Sequence, residues 1–486
     1  MLNEGEYLEN VPGSSQLYNA SKLSGRNSKG LGIGVFNAVN AEQMATAVST
    51  LDESRREVLI SPLTNYNVLV FDQNLKNNSS VTFTNTNVWR AGSFYDANVS
   101  AFNFNLNTKD NNYNINGKGI LSAQLDKQNT YGHNLNLNIQ KQRGSLIAGL
   151  GYLEESDTYD PNDLGFNYNN NRRIFEASVA YRDFTPKWKK LMKWSINANV
   201  SQAYLYAPNT FSSNMASLNF FTVSKKFNAC GFNAGGSLQE SKDYFEARTW
   251  GEVFTSPQFV FLNTWYSSNY QRKFAIDLGG SSTQYLAHPW KQYAYNFSPR
   301  VRLSDAVFLV YSFEKELQFN SIGYAIPFAT PAQSYTGILF GQRDRNTTVQ
   351  ALSFDYILTN RMSLSMRLRH YRSTLAYQHF SLLQKDGSLE LLEGFNGLTS
   401  EGKSAYDINY NAFTIDLVYR WVFLPGSELN IVWKNSVFAS NDHISAAYWQ
   451  DLSYTLQTGA LNSFSMKLIY WLDAQQIKKS RSQLPR

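Results

Sequence analysis

Five histidines, His133, His288, His370, His379 and His443, come first, because imidazole serves both metal binding and proton transfer. They are dispersed, and none stands at a ligand spacing from another histidine or from the single cysteine, Cys230. One cysteine also excludes an internal disulfide. The sequence holds no Gly-x-Ser-x-Gly elbow, no phosphate-binding glycine loop and no His-Glu-x-x-His. The nearest thing to a nucleophile with its base is Ser373 with His370, and a histidine at a strand rim is the plainer reading. The run Tyr159–Phe166 offers Asp160, Asn162 and Asp163 to a cation, but its spacing is not that of an EF-hand and the closing glutamate is missing. It reads as a loop. No catalytic, cofactor-binding or metal residue is expected, and no cofactor.

The remaining charge is plentiful but scattered. Lys and Arg number 44 against 38 Asp and Glu, giving a net charge of +6. There is no basic stripe to follow a phosphate backbone, so no nucleic-acid partner is expected. Lys187, Lys189, Lys190 and Lys193 form the one dense internal cluster, which suits a turn or an anchor at lipid headgroup level. Lys478-Lys479-Ser480-Arg481 reads as a polar tail.

The elements that would position these charges are strands. From Trp194 to Tyr204, Trp194, Ile196, Ala198 and Val200 alternate with Ser195, Asn197, Asn199 and Ser201. Successive strand side chains point to opposite faces, so this run has one apolar and one small polar face. Its length is about that of a tilted strand crossing a bilayer. Ala101–Asn107 and Asn134–Gln140 repeat the pattern with Asn at every second position. Asn is disfavoured in ordinary strands, so a hydrated lumen behind an apolar outer face is the reading that accommodates it.

The theme recurs roughly twenty times, about 20 to 25 residues apart, which predicts an all-β chain forming a large antiparallel transmembrane β-barrel of roughly 18 to 22 strands. Residues 1–14 read as a lead-in, 15–473 as the barrel and 474–486 as a polar C-terminal tail. A hairpin is expected over Ser15–Asn40, a loop over Ala41–Glu57, a strand over Val58–Phe71, and irregular segments at Ser321–Gly337, Asp386–Ser404 and Asn441–Ala460. Aromatic residues reach 15% while no apolar run is long enough for a membrane helix. The mean hydropathy of -0.39 would suit a soluble chain, but half of each barrel strand faces a polar interior. Met1–Glu6 lacks the charged start and apolar core of a signal peptide, and an exported barrel needs one. The chain is therefore expected to be the C-terminal part of a longer protein.

If apolar faces look outward, Glu176, Arg182, Glu314, Glu316, Arg367, Arg369, Asp416, Arg420, Lys434 and Lys467 face the lumen. In an open barrel such charges set a transverse field that selects polar solutes. In a closed one they pair across the interior and hold it together. Both readings stand at this point.

Gln16–Arg26 and Gly30–Val39, with Leu63–Asn67, Asn87-Val88-Trp89-Arg90 and Asp160–Phe166, resemble the domain of unknown function 5916 family. The resemblance covers nearly the whole chain. It implies an outer-membrane β-barrel of Bacteroidota, usually C-terminal to a signal peptide and a family-9-like carbohydrate-binding domain. This chain departs from that pattern by starting at the barrel. Some relatives are labelled membrane-associated hydrolases, though no motif in this sequence supports that label. The function expected is therefore a porin-like channel or uptake component for polar solutes, glycan-related through the resemblance, in the cell outer membrane. Its partners would be the lipid bilayer, a polar solute or glycan, and envelope proteins. The alternatives are a non-conducting anchor or assembly barrel for the upstream domain, and a barrel-embedded hydrolase.

Overall fold

The computed structural model describes residues 2–441, 444 and 447–471. His443 and the tail 474–486 with Lys478–Arg481 lie outside the described residues. The chain forms two compact units, residues 1–182 with 196–216 and residues 183–195 with 217–486. Both are built almost wholly from antiparallel strands.

The first unit contains β1 (Glu6–Glu9), β2 (Leu17–Arg26), β3 (Leu31–Asn40), β4 (Gln43–Ser49), β5 (Arg55–Ser61), β6 (Thr64–Asn74), β7 (Ser80–Arg90), β8 (Asp96–Asn107), β9 (Tyr113–Leu125), β10 (Thr130–Lys141), β11 (Leu146–Glu155) and β12 (Arg172–Asp183). Strands β2-β3-β6-β7-β8-β9-β10-β11-β12 pair in that order as an antiparallel meander. β13 (Leu191–Tyr204) and β14 (Phe211–Ser224) contribute residues to both units.

Alternation sets the two faces of this meander. Leu135, Leu137 and Ile139 lie beside Gly119, Gly117 and Ile115 on one side and Glu154, Tyr152 and Leu150 on the other. This face exposes its large apolar residues, Leu150 at 65%. The opposite face carries the asparagines, and they bond one another both between neighbouring strands and along a strand. Asn114 Nδ2 donates to Asn105 Oδ1 (2.7 Å), Asn116 Nδ2 to Asn114 Oδ1 (2.6 Å), and Asn138 Nδ2 to Asn136 Oδ1 (2.7 Å). Each such bond contributes about 0.5–1.5 kcal/mol net, which offsets the poor strand propensity of Asn.

The expected loop Ala41–Glu57 holds β4 and the start of β5. With β1, from the lead-in, they make a separate three-stranded sheet in the order β1-β4-β5. Pro62 ends β5, so Val58–Phe71 is two strands rather than one. The small sheet is tied by Arg56, whose Nε donates to Glu6 Oε1 (2.8 Å) and Nη2 to Glu6 Oε2 (2.6 Å). The Arg56 contact and the Asn3 N–H hold the Glu6 carboxyl down from its ordinary 4.5 to about 2. A lowered folded value stabilises above the unfolded one, so the gain is complete above 4.5 and lost as pH falls through about 2. The thermal midpoint of a Glu6→Gln variant should therefore lie below the parent's at neutral pH and converge on it by about pH 2. A gap that persists in acid would mean that Glu6 acts through packing instead.

The second unit contains β15 (Ala229–Gly236), β16 (Ser241–Asp243), β17 (Phe254–Ser256), β18 (Phe259–Ser267), β19 (Phe274–Tyr285), β20 (Lys291–Arg302), β21 (Val307–Tyr324), β22 (Leu339–Thr359), β23 (Met362–Leu383), β24 (Leu389–Leu391), β25 (Ile408–Leu424), β26 (Ser427–Asn441), α1 (Tyr448–Gln457) and β27 (Leu461–Ile469). Its meander runs β15-β18-β19-β20-β21-β22-β23-β25-β26-β27. β21 runs on to Tyr324, into the segment expected to be irregular, and α1 replaces irregular chain within Asn441–Ala460. No helix among the described residues is long and apolar enough to cross a membrane. Every residue of β2 and every residue of β27 is exposed.

Candidate functional site

Strand parity and register place eight of the ten singled-out charges on one face of the second unit's meander. That face lies opposite Leu309, Phe313, Met366, Leu368, Ile415 and Leu417. Arg367 stands across from Asp416, and Asp416 across from Lys434, whose Nζ is 3.8 Å from Asp416 Oδ1. Arg420 aligns with Asn430, and Asn430 with Lys467. Arg420 Nε also donates to Glu428 Oε2 (2.8 Å). Arg369 lies across from Thr414, its guanidinium 6.0 Å from the Tyr371 ring centroid. Glu314 and Glu316 sit on β21, and Glu316 accepts from Gln318 Nε2 (2.6 Å) and pairs with Arg345 (3.4 Å).

On β23, β25, β26 and β27 this face therefore has five basic groups, Arg367, Arg369, Arg420, Lys434 and Lys467, against Asp416 and Glu428. Arg367, Arg369, Arg420 and Lys434 are exposed, so solvent weakens these pairs, to about 0–1 kcal/mol each. What remains is a net positive field over a wet polar face.

Glu176 and Arg182 belong to the Asn-bearing face of the first unit. Glu176 is opposite Gly151, where a Cβ would crowd Asn138 Oδ1 and the Glu176 side chain. Arg182 borders a shallow polar hollow with Asp110, Gln140, Gln142 and Arg143.

The His370–Ser373 pairing does not form. Three residues apart on a strand, the two side chains point to opposite faces. Ser373 bonds Thr347 (3.0 Å), whereas His370 Nδ1 meets the Tyr448 hydroxyl. His370 opens a buried polar cluster that sequence reasoning missed. Arg372 Nε donates to Asp451 Oδ2 (2.5 Å), Asn409 Nδ2 to Asp451 Oδ1 (3.0 Å), and Asn411 Nδ2 to Asn409 Oδ1 (2.9 Å). Arg372 and Asp451 are 6% and 7% exposed. Burial pushes the Tyr448 hydroxyl up to about 12, so it stays protonated beside Nδ1. A readable signal existed: His370 and Arg372 continue the face of Leu364, Met366 and Leu368, where polar groups need a cover.

Two of the other described histidines are held by neighbours. His133 Nε2 lies 3.1 Å from Glu154, which also holds Arg173, and His288 Nδ1 accepts from Trp290 N–H (3.1 Å). His379 is exposed in β23. Among the described residues no three His, Cys, Asp or Glu side chains are grouped to hold a metal ion.

The loop after β11 packs on β9 and β10. Asp160 accepts from Gln124 Nε2 (2.9 Å), and its N–H donates to Ser122 Oγ (3.1 Å). Asp163 pairs with Arg90 and accepts from the Tyr95 hydroxyl (3.1 Å), while Arg90 stacks 4.4 Å from the Tyr95 ring.

The family model described as Domain of unknown function (DUF5916) matches residues 1–481. The chain belongs to the DUF5916 family. No curated protein matches it. In this DUF5916 chain, segments far apart in sequence meet at one end of the first unit. Thr64, at the start of β6, lies opposite Arg90 at the end of β7, and Arg90 reaches Asp163 in the loop Asp160–Phe166.

Proposed function

We propose that this chain is an integral outer-membrane β-barrel of roughly 18 to 22 strands that admits polar solutes to an aqueous lumen. One observation carries the reading. Each meander exposes an apolar face and backs it with a hydrogen-bonded, charged face, an arrangement that suits lipid on one side and water on the other. Strand length supports it, since β8, β10, β12, β19 and β20 have 12 residues each and a tilted membrane strand needs about 9–11. Exposed aromatic residues near strand ends, among them Tyr266, Trp421 and Tyr470, suit headgroup-level girdles.

The ten charged residues named above are then lumen-facing, and the excess of basic groups on β23–β27 makes the passage favour anions. The solutes are polar small molecules, glycan-related ones included. The test is single-channel conductance of the detergent-purified chain in a planar bilayer. The parent should conduct in discrete steps with an anion-favouring reversal potential under a salt gradient. The Arg367→Glu/Arg369→Glu double variant should change the sign of that potential. A folded, heat-modifiable protein that passes no current would overturn the passage reading.

A second reading has its own support. Asn114 and Asn134 on the polar face of the first unit are buried and bonded to neighbours, as in an interior that holds itself shut. On that reading the barrel is an anchor for a further domain or for envelope partners, and such partners would co-purify with it in detergent.

A further inference from the structure

α1 is seated the opposite way round from an ordinary surface helix. Its buried stripe is polar: Asp451 and Thr455 are one turn apart, and Tyr448 lies one turn before Asp451. Three of its large apolar and aromatic residues are exposed instead. Trp449 is 74% exposed, Leu456 53% and Tyr454 52%. Trp449 and Leu456 are seven residues apart and share one shoulder of the helix. An amphipathic helix normally buries the apolar stripe. Here a buried ion pair and side-chain hydrogen bonds hold it down by its polar side.

The place where α1 sits gives that exposed shoulder a partner. On β23, Leu364, Met366 and Leu368 are followed on the same face by His370, Arg372 and Thr374. On β25, Leu417, Ile415 and Phe413 are followed by Asn411 and Asn409, which align with Arg372 and its neighbours. α1 therefore covers the polar stretch that begins where the apolar band ends. From Leu368 to Arg372 is four residues, about 13 Å along a strand, comparable to the depth of a headgroup layer.

We infer that α1 is an interfacial helix, whose Trp449–Leu456 shoulder and Tyr454 seat in the headgroup layer of the lipid surface that the apolar band contacts. This rests on the membrane reading proposed above. Indole and phenol rings place an apolar body and a polar tip at that level. The Arg372–Asp451 pair is the clamp that reaches from β23 and keeps the helix seated over β25 and β26, shielded from both water and lipid.

The test uses the full chain in phosphatidylcholine–phosphatidylglycerol vesicles. Cys230→Ser supplies a cysteine-free background. Bimane is attached at single cysteines made by Trp449→Cys, Leu456→Cys, Met466→Cys on the exposed apolar face of β27, or Asp52→Cys in the turn of the small sheet. Each sample is checked for heat-modifiable mobility, so that misfolded variants are discarded; Leu456→Cys stands in where Trp449→Cys fails to fold. Nitroxide lipids carry the quencher at the headgroup or in the acyl tail, and iodide reports water. The inference expects labels at 449 and 456 to be quenched more by headgroup than by tail nitroxide, 466 the reverse, and 52 by iodide alone. Labels at 449 and 456 quenched only by iodide, with 466 still quenched from the tail, would overturn the inference and leave the membrane reading intact. A label at 466 that only iodide reaches would remove the membrane reading and the inference with it.

Discussion

An Arg372→Ala variant is expected to lose about 3–5 kcal/mol of stability. The reason is asymmetric. With its partner gone, Asp451 remains buried with only the Asn409 amide against one oxygen. A buried carboxylate without a counter-charge must either take up a proton or draw its helix into water. Either way α1 loses its seat, and protease cleavage within Tyr448–Gln457 should rise together with the fall in the urea midpoint. The double variant Arg372→Met/Asp451→Leu should behave differently. Removing both charges and restoring volume is commonly neutral or stabilising by about 1–4 kcal/mol. If Arg372→Ala unfolds with the parent, the pair contributes nothing net to the seating of α1.

The second large effect is expected at Gly132 in β10. A Cβ built there would overlap the backbone of Thr158 and Tyr159, where the loop after β11 crosses the strand. Backbone cannot swing aside as the end of a side chain can. Gly132→Ala should therefore shift the whole loop or strain the strand, at about 1–3 kcal/mol. The bond from His133 N–H to Ser156 Oγ (2.9 Å) and the burial of Tyr159 should be lost together. The readouts are the thermal midpoint and the rate of proteolysis between residues 156 and 171. An alanine variant as stable and as resistant as the parent would mean that the loop does not rest on β10.

The strands were legible because their faces differ in chemistry at a period of two. Ala101–Asn107, Asn134–Gln140 and Trp194–Tyr204 fall within β8, β10 and β13. Placement of the ten charges on polar faces followed from that same alternation. Register was not legible: nothing local says that Arg367 meets Asp416 rather than a neighbour two residues on, because each pairing satisfies the alternation equally. β4 escaped notice because Ala45 and Ala47, both buried, are too small to mark a face. α1 escaped because helix detection looks for a buried apolar stripe, and in α1 the buried stripe is Asp451 and Thr455. Its first turn also has no side-chain cap to announce it. The His370–Ser373 idea failed on geometry that the sequence already contained, since odd spacing on a strand separates two side chains.

The exposed row on β27 has a consequence for handling the chain in water. Phe464, Met466 and Leu468 share one face of that strand and are all open, and an apolar patch left in water draws other copies onto itself. In colloid terms the chain is a sticky particle and detergent is its stabiliser, so the shell of apolar tails has to be in place before the protein is concentrated.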